Sequence, residues 1–104
     1  MLSNFPNLIL TRFPEIDEVD EGLFSSALEH FFKKVSSSGE VQLTLSHKGY
    51  AKGGLKVQHE VHGQLKFNGK SFFASDNTWQ LLESVQSVLR KLEKEVLKQH
   101  SKEQ

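Results

Sequence analysis

Two histidines three residues apart, His59 and His62, sit in the run LKVQHEVHGQLKFNGKSFFAS between Leu55 and Ser75. Imidazoles at short spacing are common zinc ligands, so the first question is whether these two can share an ion. The residues around them alternate in character. Val57, His59, Val61, Gly63, Leu65 and Phe67 form one set; Lys56, Gln58, Glu60, His62, Gln64 and Lys66 form the other. That is the period of a strand, in which residues three apart face opposite sides. His59 then lies on the apolar face near the end of a sheet and His62 on the solvent face. No metal is expected. The chain has no cysteine, which also removes thiolate ligands, thiolate nucleophiles and disulfides, and points to a reducing compartment.

Other catalytic patterns are missing too. The serines of SSALEH and SSSG lack a G-x-S-x-G elbow, and no phosphate-cradling P-loop is present. KGYAKGGLK carries glycines but does not stand at a strand-to-helix turn. The acidic run from Glu15 to Glu21 lacks the ligand spacing of a calcium loop. The reading is of a non-enzymatic protein with no cofactor and no small-molecule substrate.

Charge points instead to a binding surface. The formal net charge is zero, but the signs are segregated. Residues 1–30 hold one base, Arg12, against six acids, whereas residues 31–75 hold seven lysines against Glu40 and Glu60. Such asymmetry can build a basic face on a neutral protein. The N-terminal MLSNFPNLIL has no basic start, and no apolar run approaches the ~20 residues of a membrane span. The expected setting is soluble and cytoplasmic, without membrane association.

These residues must be held by a single domain, expected over 1–100 with a polar tail at 101–104. NLILTRF (Asn7–Phe13) reads as a first strand ending before Pro14. Asp17 or Asp20 can cap a helix reaching Val35, with Leu23, Phe24, Ala27, Leu28, Phe31, Phe32 and Val35 as its apolar stripe and SSSG as its stop. VQLTLS (Val41–Ser46) alternates as a half-buried strand, and HKGYAKGG (His47–Gly54) reads as a loop. Asn68-Gly69 supplies a type I′ hairpin turn, which sets Leu65 opposite Phe72 and Gly63 opposite Ala74. A last helix starts from Asp76 or Asn77, with Trp79, Leu82, Val85, Leu89, Leu92 and Val96 as its stripe. The expected class is α+β, ordered β-α-β-β-β-α, a four-stranded sheet with both helices packed on its apolar face.

Two surfaces of this fold can bind. One is the open sheet face with the 47–56 segment, carrying His47, Lys48, Tyr50, Lys52, Lys56, His62, Lys66 and Lys70, where Tyr50 or Phe73 can add stacking. The other is the outer arc of the last helix, where Arg90, Lys91, Lys94 and Lys98 fall within about 100° at helical spacing. Glu83 lies within that arc and Glu95 just beyond it, which weakens the patch.

The segment His62–His100 resembles the C-terminal half of the short ribosome hibernation-promoting factors, also called ribosomal subunit interface proteins. The likeness rests on Leu65, Phe67, Asn68, Gly69 and Phe72 of the hairpin, the Ala74-Ser75 exit, Asp76 and Trp79 before the last helix, and a lysine-rich end to Lys98. It implies a double-stranded-RNA-binding-domain-like fold. It further implies a protein that docks on the small ribosomal subunit and silences translation under stress or in stationary phase. With the charge clustering, the expected rRNA contacts are Lys33, Lys34, Lys56, Lys66, Arg90, Lys91, Lys94 and Lys98, in a protein acting as a monomer. Two other readings stay open: a protein-interaction module that kept this fold but lost strong ribosome binding, and a stand-alone RNA chaperone.

Overall fold

The computed structural model describes residues 5–35, 40–51, 54 and 56–102. The SSSG helix stop, Lys52 and the last two residues of the expected tail lie outside them. The order is β1 (Leu8–Thr11), α1 (Glu18–Val35), β2 (Val41–Ala51), β3 (Val57–Phe67), β4 (Lys70–Thr78) and α2 (Leu81–Lys102). This is the expected α+β order, in one sheet arranged β1-β2-β3-β4. β1 lies parallel to β2, which is possible because α1 carries the chain back across the sheet. The other two pairings are antiparallel.

Local chemistry explains most boundaries. Asp17 caps α1: its Oδ1 accepts from the Asp20 amide at 2.8 Å and its carbonyl from the Glu21 amide at 2.8 Å. Glu18, Asp20 and Glu21 stand at the positive end of the helix dipole, and Lys33 and Lys34 at its negative end. Asn68 and Gly69 take φ of 50° and 81°, as the two-residue hairpin requires, and Leu65↔Phe72 and Gly63↔Ala74 are in the expected register.

Both helices bury their stripes on one face of the sheet. Phe24, Leu28, Phe31 and Val35 of α1 meet Leu43 and Leu45 of β2, Val61 and Leu65 of β3, and Val85, Val88, Leu92 and Val96 of α2 in one core. Gly63 is the closest approach: a Cβ there would stand 2.6 Å from Val88 Cγ1 and 3.0 Å from Leu92 Cδ1. Val88, absent from the expected stripe, is fully buried because Gly63 makes room for it.

Three expectations are corrected. The segment from His47, read as a loop, continues β2 through Ala51, since Gly49, Tyr50 and Ala51 pair with His59, Gln58 and Val57. A glycine weakens a strand only modestly when the partner strand supplies the ladder. Asp76 and Asn77 do not cap α2, because they are paired within β4 to Val61 and Glu60. Trp79 does not join the apolar stripe: it precedes α2 and is 52% exposed.

Ser84 takes over the pinning of α2. Its Oγ donates to the His59 carbonyl at 2.6 Å and accepts from the Thr78 amide at 3.1 Å, while lying 2.7 Å from Thr78 Oγ1. The hydroxyl thus bridges the last pair of the β3–β4 ladder, His59 and Thr78, and Ser84 is the only polar residue fully buried among those described.

Candidate nucleic-acid interface

The pairing register decides which side chains share the open sheet face. Alternation puts Ile9 and Thr11 of β1, Thr44, Ser46, Lys48 and Tyr50 of β2, His62, Gln64 and Lys66 of β3, and Phe73 and Ser75 of β4 there together. Phe73 is 69% exposed on this face. Beside it a shallow depression of about 340 Å3 is bordered by Thr44, Ser46, His62 and Gln64. Tyr50 donates its hydroxyl to Glu60 Oε2 at 2.9 Å, and Lys48 Nζ lies 5.1 Å from the Tyr50 ring centre. The Tyr50 hydroxyl, and then His62 with its Nε2 at 3.4 Å, hold the Glu60 carboxyl below its usual pKa. One carboxylate therefore offsets much of the positive charge at this end of the face.

Two residues placed on this face by the sequence reading belong on the other. Lys70 pairs with Phe67, which faces the helices, so the start of its side chain points the same way. His47 is on the helix side as well, because the added strand length keeps the alternation of Val41, Leu43 and Leu45. There it meets His59, as Nε2···Nδ1 at 2.9 Å, and the ring of Phe13 at 5.7 Å. Burial first, then the neighbouring His59, lower the His47 pKa, while the Arg12 backbone carbonyl opposes the shift. The His47–His59 contact engages His59 Nδ1 and leaves its Nε2 outside this pair. His59 and His62 face opposite sides of the sheet, and no group of three or more His, Asp or Glu is placed to hold a metal among the described residues.

The helix layer gathers part of the expected cation set. α1 and α2 run in the same direction, since Asp17 and Asp20 lie by Leu81 and Leu82 at one end, and Lys34 by Glu93 further on. Lys33 and Lys34 thus end α1 level with Glu93 of α2, while Lys94 and Lys98 stand exposed on α2. Lys34 Nζ is 3.1 Å from Glu93 Oε1. Arg90 borders a groove between the helices with Leu23, His30, Gln86 and Glu93. Lys91 turns away to β4, where its Nζ donates to the Ser75 carbonyl at 2.8 Å and lies 3.6 Å from Asp76 Oδ2. Asp76 also accepts from the Ser87 hydroxyl, which, with the Asn77 amide and Lys91, lowers its pKa.

The remaining two cations stand apart. Lys66 is on the open sheet face, across the core from the helix lysines. Lys56 is at the far end of β3, with its Nζ 5.9 Å from the Trp79 ring centre. The eight expected contacts thus fall into a helix-layer group, a sheet-face lysine and an end lysine beside an exposed indole. Lys33, Lys66, Lys94 and Lys98 form no ion pair among the described residues.

Sequence reasoning missed Ser84 and the Lys91–Asp76–Ser87 group. The signal for Ser84 was present: a serine at helical spacing with Leu81, Val85 and Val88 sits on a buried stripe, where a hydroxyl needs a specific partner.

No protein-family model matches this sequence, and no curated protein does. Solved structures match over most of the chain. The N-terminal domain of Thermus thermophilus Protein Y aligns with a TM-score of 0.64 at 15% identity, covering 86% of this chain and 91% of that one. A ribosomal subunit interface protein from Coxiella burnetii aligns with a TM-score of 0.65 at 14% identity, covering 90% of this chain and 97% of that one. The likeness first read from the hairpin and last helix extends to the whole β-α-β-β-β-α architecture, and the chain shares the fold of these two proteins.

Proposed function

We propose that this protein is a non-enzymatic, cytoplasmic translation inhibitor of the hibernation-promoting type. It docks on the small ribosomal subunit through lysine and arginine contacts to rRNA phosphates, under stress or in stationary phase. The fold shared with a ribosomal subunit interface protein carries this reading. The exposed lysines at the C-terminal ends of the two helices support it: Lys33 and Lys34 in the last turn of α1, and Lys94 and Lys98 on α2, where the contact of Lys34 with Glu93 ties the two helices together. Phosphate contacts release counterions, so affinity depends steeply on salt. Among the described residues no helix is long and apolar enough to cross a membrane.

The test is co-sedimentation of the purified protein with small ribosomal subunits at about 50 and about 200 mM salt. For two to five freed phosphate contacts, affinity falls on the order of tenfold to 10³-fold over that range. Binding that ignores salt, or no binding at low salt, overturns the reading.

A second reading, an interaction module with a protein partner, is favoured by one observation. Lys34 and Lys91 already face Glu93 and Asp76, which reduces the charge left for phosphates. Capture of a protein partner by a chain that ignores RNA supports it over the first.

A further inference from the structure

At the end of the sheet away from the helix lysines, Lys56, Val57, His59 and Trp79 line a groove of about 420 Å3. Trp79 is 52% exposed and Val57 41% exposed. A large indole left in water at a strand end contributes little to the fold. Nothing in the core needs it, since the stripe of α2 closes with Leu82 and Val85. The groove is too small for a stable protein interface, which needs roughly 1,000 Å2 of buried surface. It does suit one ring system and its sugar, at the low end of small-ligand sites.

We propose that this groove is a stacking site for one unpaired nucleotide of RNA, with Trp79 as the platform, Lys56 as the phosphate contact and His59 as a contact to the base edge. The inference takes its partner class from the RNA-binding reading above, but rests on a separate part of the surface. Three properties of the site match that ligand. An exposed indole offers a flat π-face, on which any base stacks. The Lys56 ammonium already lies over that ring at 5.9 Å, so only one flexible, solvated side chain must move for a base to take its place. Once displaced, it meets the phosphate next to the base. His59 has its Nδ1 engaged with His47, which leaves Nε2 as its one remaining polar ring atom for a contact to a base edge. Among the described residues none that lines the groove is acidic.

Trp79 is the only tryptophan in the chain, so its fluorescence reports this site alone. The experiment titrates the full chain with a short single-stranded RNA, with an abasic oligonucleotide of equal charge, and with adenosine monophosphate. The expected result is quenching by the RNA, no quenching by the abasic strand, and binding of the mononucleotide at least tenfold weaker than RNA. Trp79→Ala should weaken binding of an end-labelled RNA, read by anisotropy, by roughly tenfold or more, and Trp79→Phe by less. Quenching by the abasic strand would reduce the site to a phosphate contact and overturn the stacking assignment. Equal affinity for the mononucleotide would overturn the assignment to RNA. No quenching by RNA overturns the inference outright. Co-sedimentation with ribosomal subunits in the same preparation then shows whether the broader reading stands without it.

Discussion

Lys91 Nζ donates to the Ser75 carbonyl at 2.8 Å, on the outer edge of β4. β4 is a terminal strand, and its outward carbonyls are open to pairing with another chain. A lysine from α2 thus satisfies one edge group and fastens the helix to the sheet, with Asp76 3.6 Å away. Lys94, one turn further on, makes no such bond among the described residues.

This contrast separates binding from stability. Lys94→Glu should weaken association with ribosomal subunits while leaving the thermal midpoint within about a degree. Lys91→Glu should lower both, with a stability loss of about 1 kcal/mol as it faces Asp76 with a second carboxylate and frees the Ser75 carbonyl. Co-sedimentation and thermal melting of the two variants decide the point. Equal midpoints would mean that the Lys91 tether contributes nothing.

Ser84→Ala should cost about 1–3 kcal/mol, because the His59 carbonyl and the Thr78 amide both lose their partner in a buried place. Urea unfolding should show a lower midpoint at unchanged slope. A loss below about 0.5 kcal/mol would show that the two strands hold the His59–Thr78 pair by themselves.

Gly63→Ala should destabilise by about 1–3 kcal/mol, since the new methyl falls 2.6 Å from Val88 Cγ1. Val88→Ala removes that atom. The double variant should therefore be more stable than the sum of the two single losses predicts, and simple additivity would place the strain elsewhere.

The His47–His59 contact makes stability depend on pH. The folded pKa of His47 is below its ordinary value of 6.5, mainly through burial. The unfolded chain therefore takes up its proton first as pH falls. The contribution of neutral His47 is complete above about pH 6.5 and is lost as pH drops from there through the folded pKa. Melting at pH 7.5 and 5.5 should show a larger drop for the natural chain than for His47→Phe, which keeps a ring against Phe13. Equal drops would assign the pH dependence to other groups.

How much of this was legible in the sequence depended on the range of the interaction. The hairpin register followed from Asn68-Gly69, because two residues of positive φ set the pairing on either side. The start of α1 was narrowed to two candidate caps, and the one used, Asp17, has partners only three and four residues away. The division of His59 from His62 followed from strand alternation alone. Each is settled within a few residues, where backbone geometry and side-chain period leave few arrangements.

The interface was less legible because its residues come from separate elements. The sequence determined the element order, the apolar faces and the list of cations. Only the tertiary structure decided that His47 stays in strand and faces His59, since that required the β3 partner. Likewise, Lys34 and Lys91 stand beside carboxylates 59 and 15 residues away in the chain, Glu93 and Asp76. Trp79 fits a helical stripe by spacing, yet the structure leaves it in solvent beside Lys56 because β4 runs on to Thr78 and delays the start of α2. Periodicity reads which face a residue takes within one element. Which charges neutralise each other, and which aromatic remains uncovered, depends on how the elements pack.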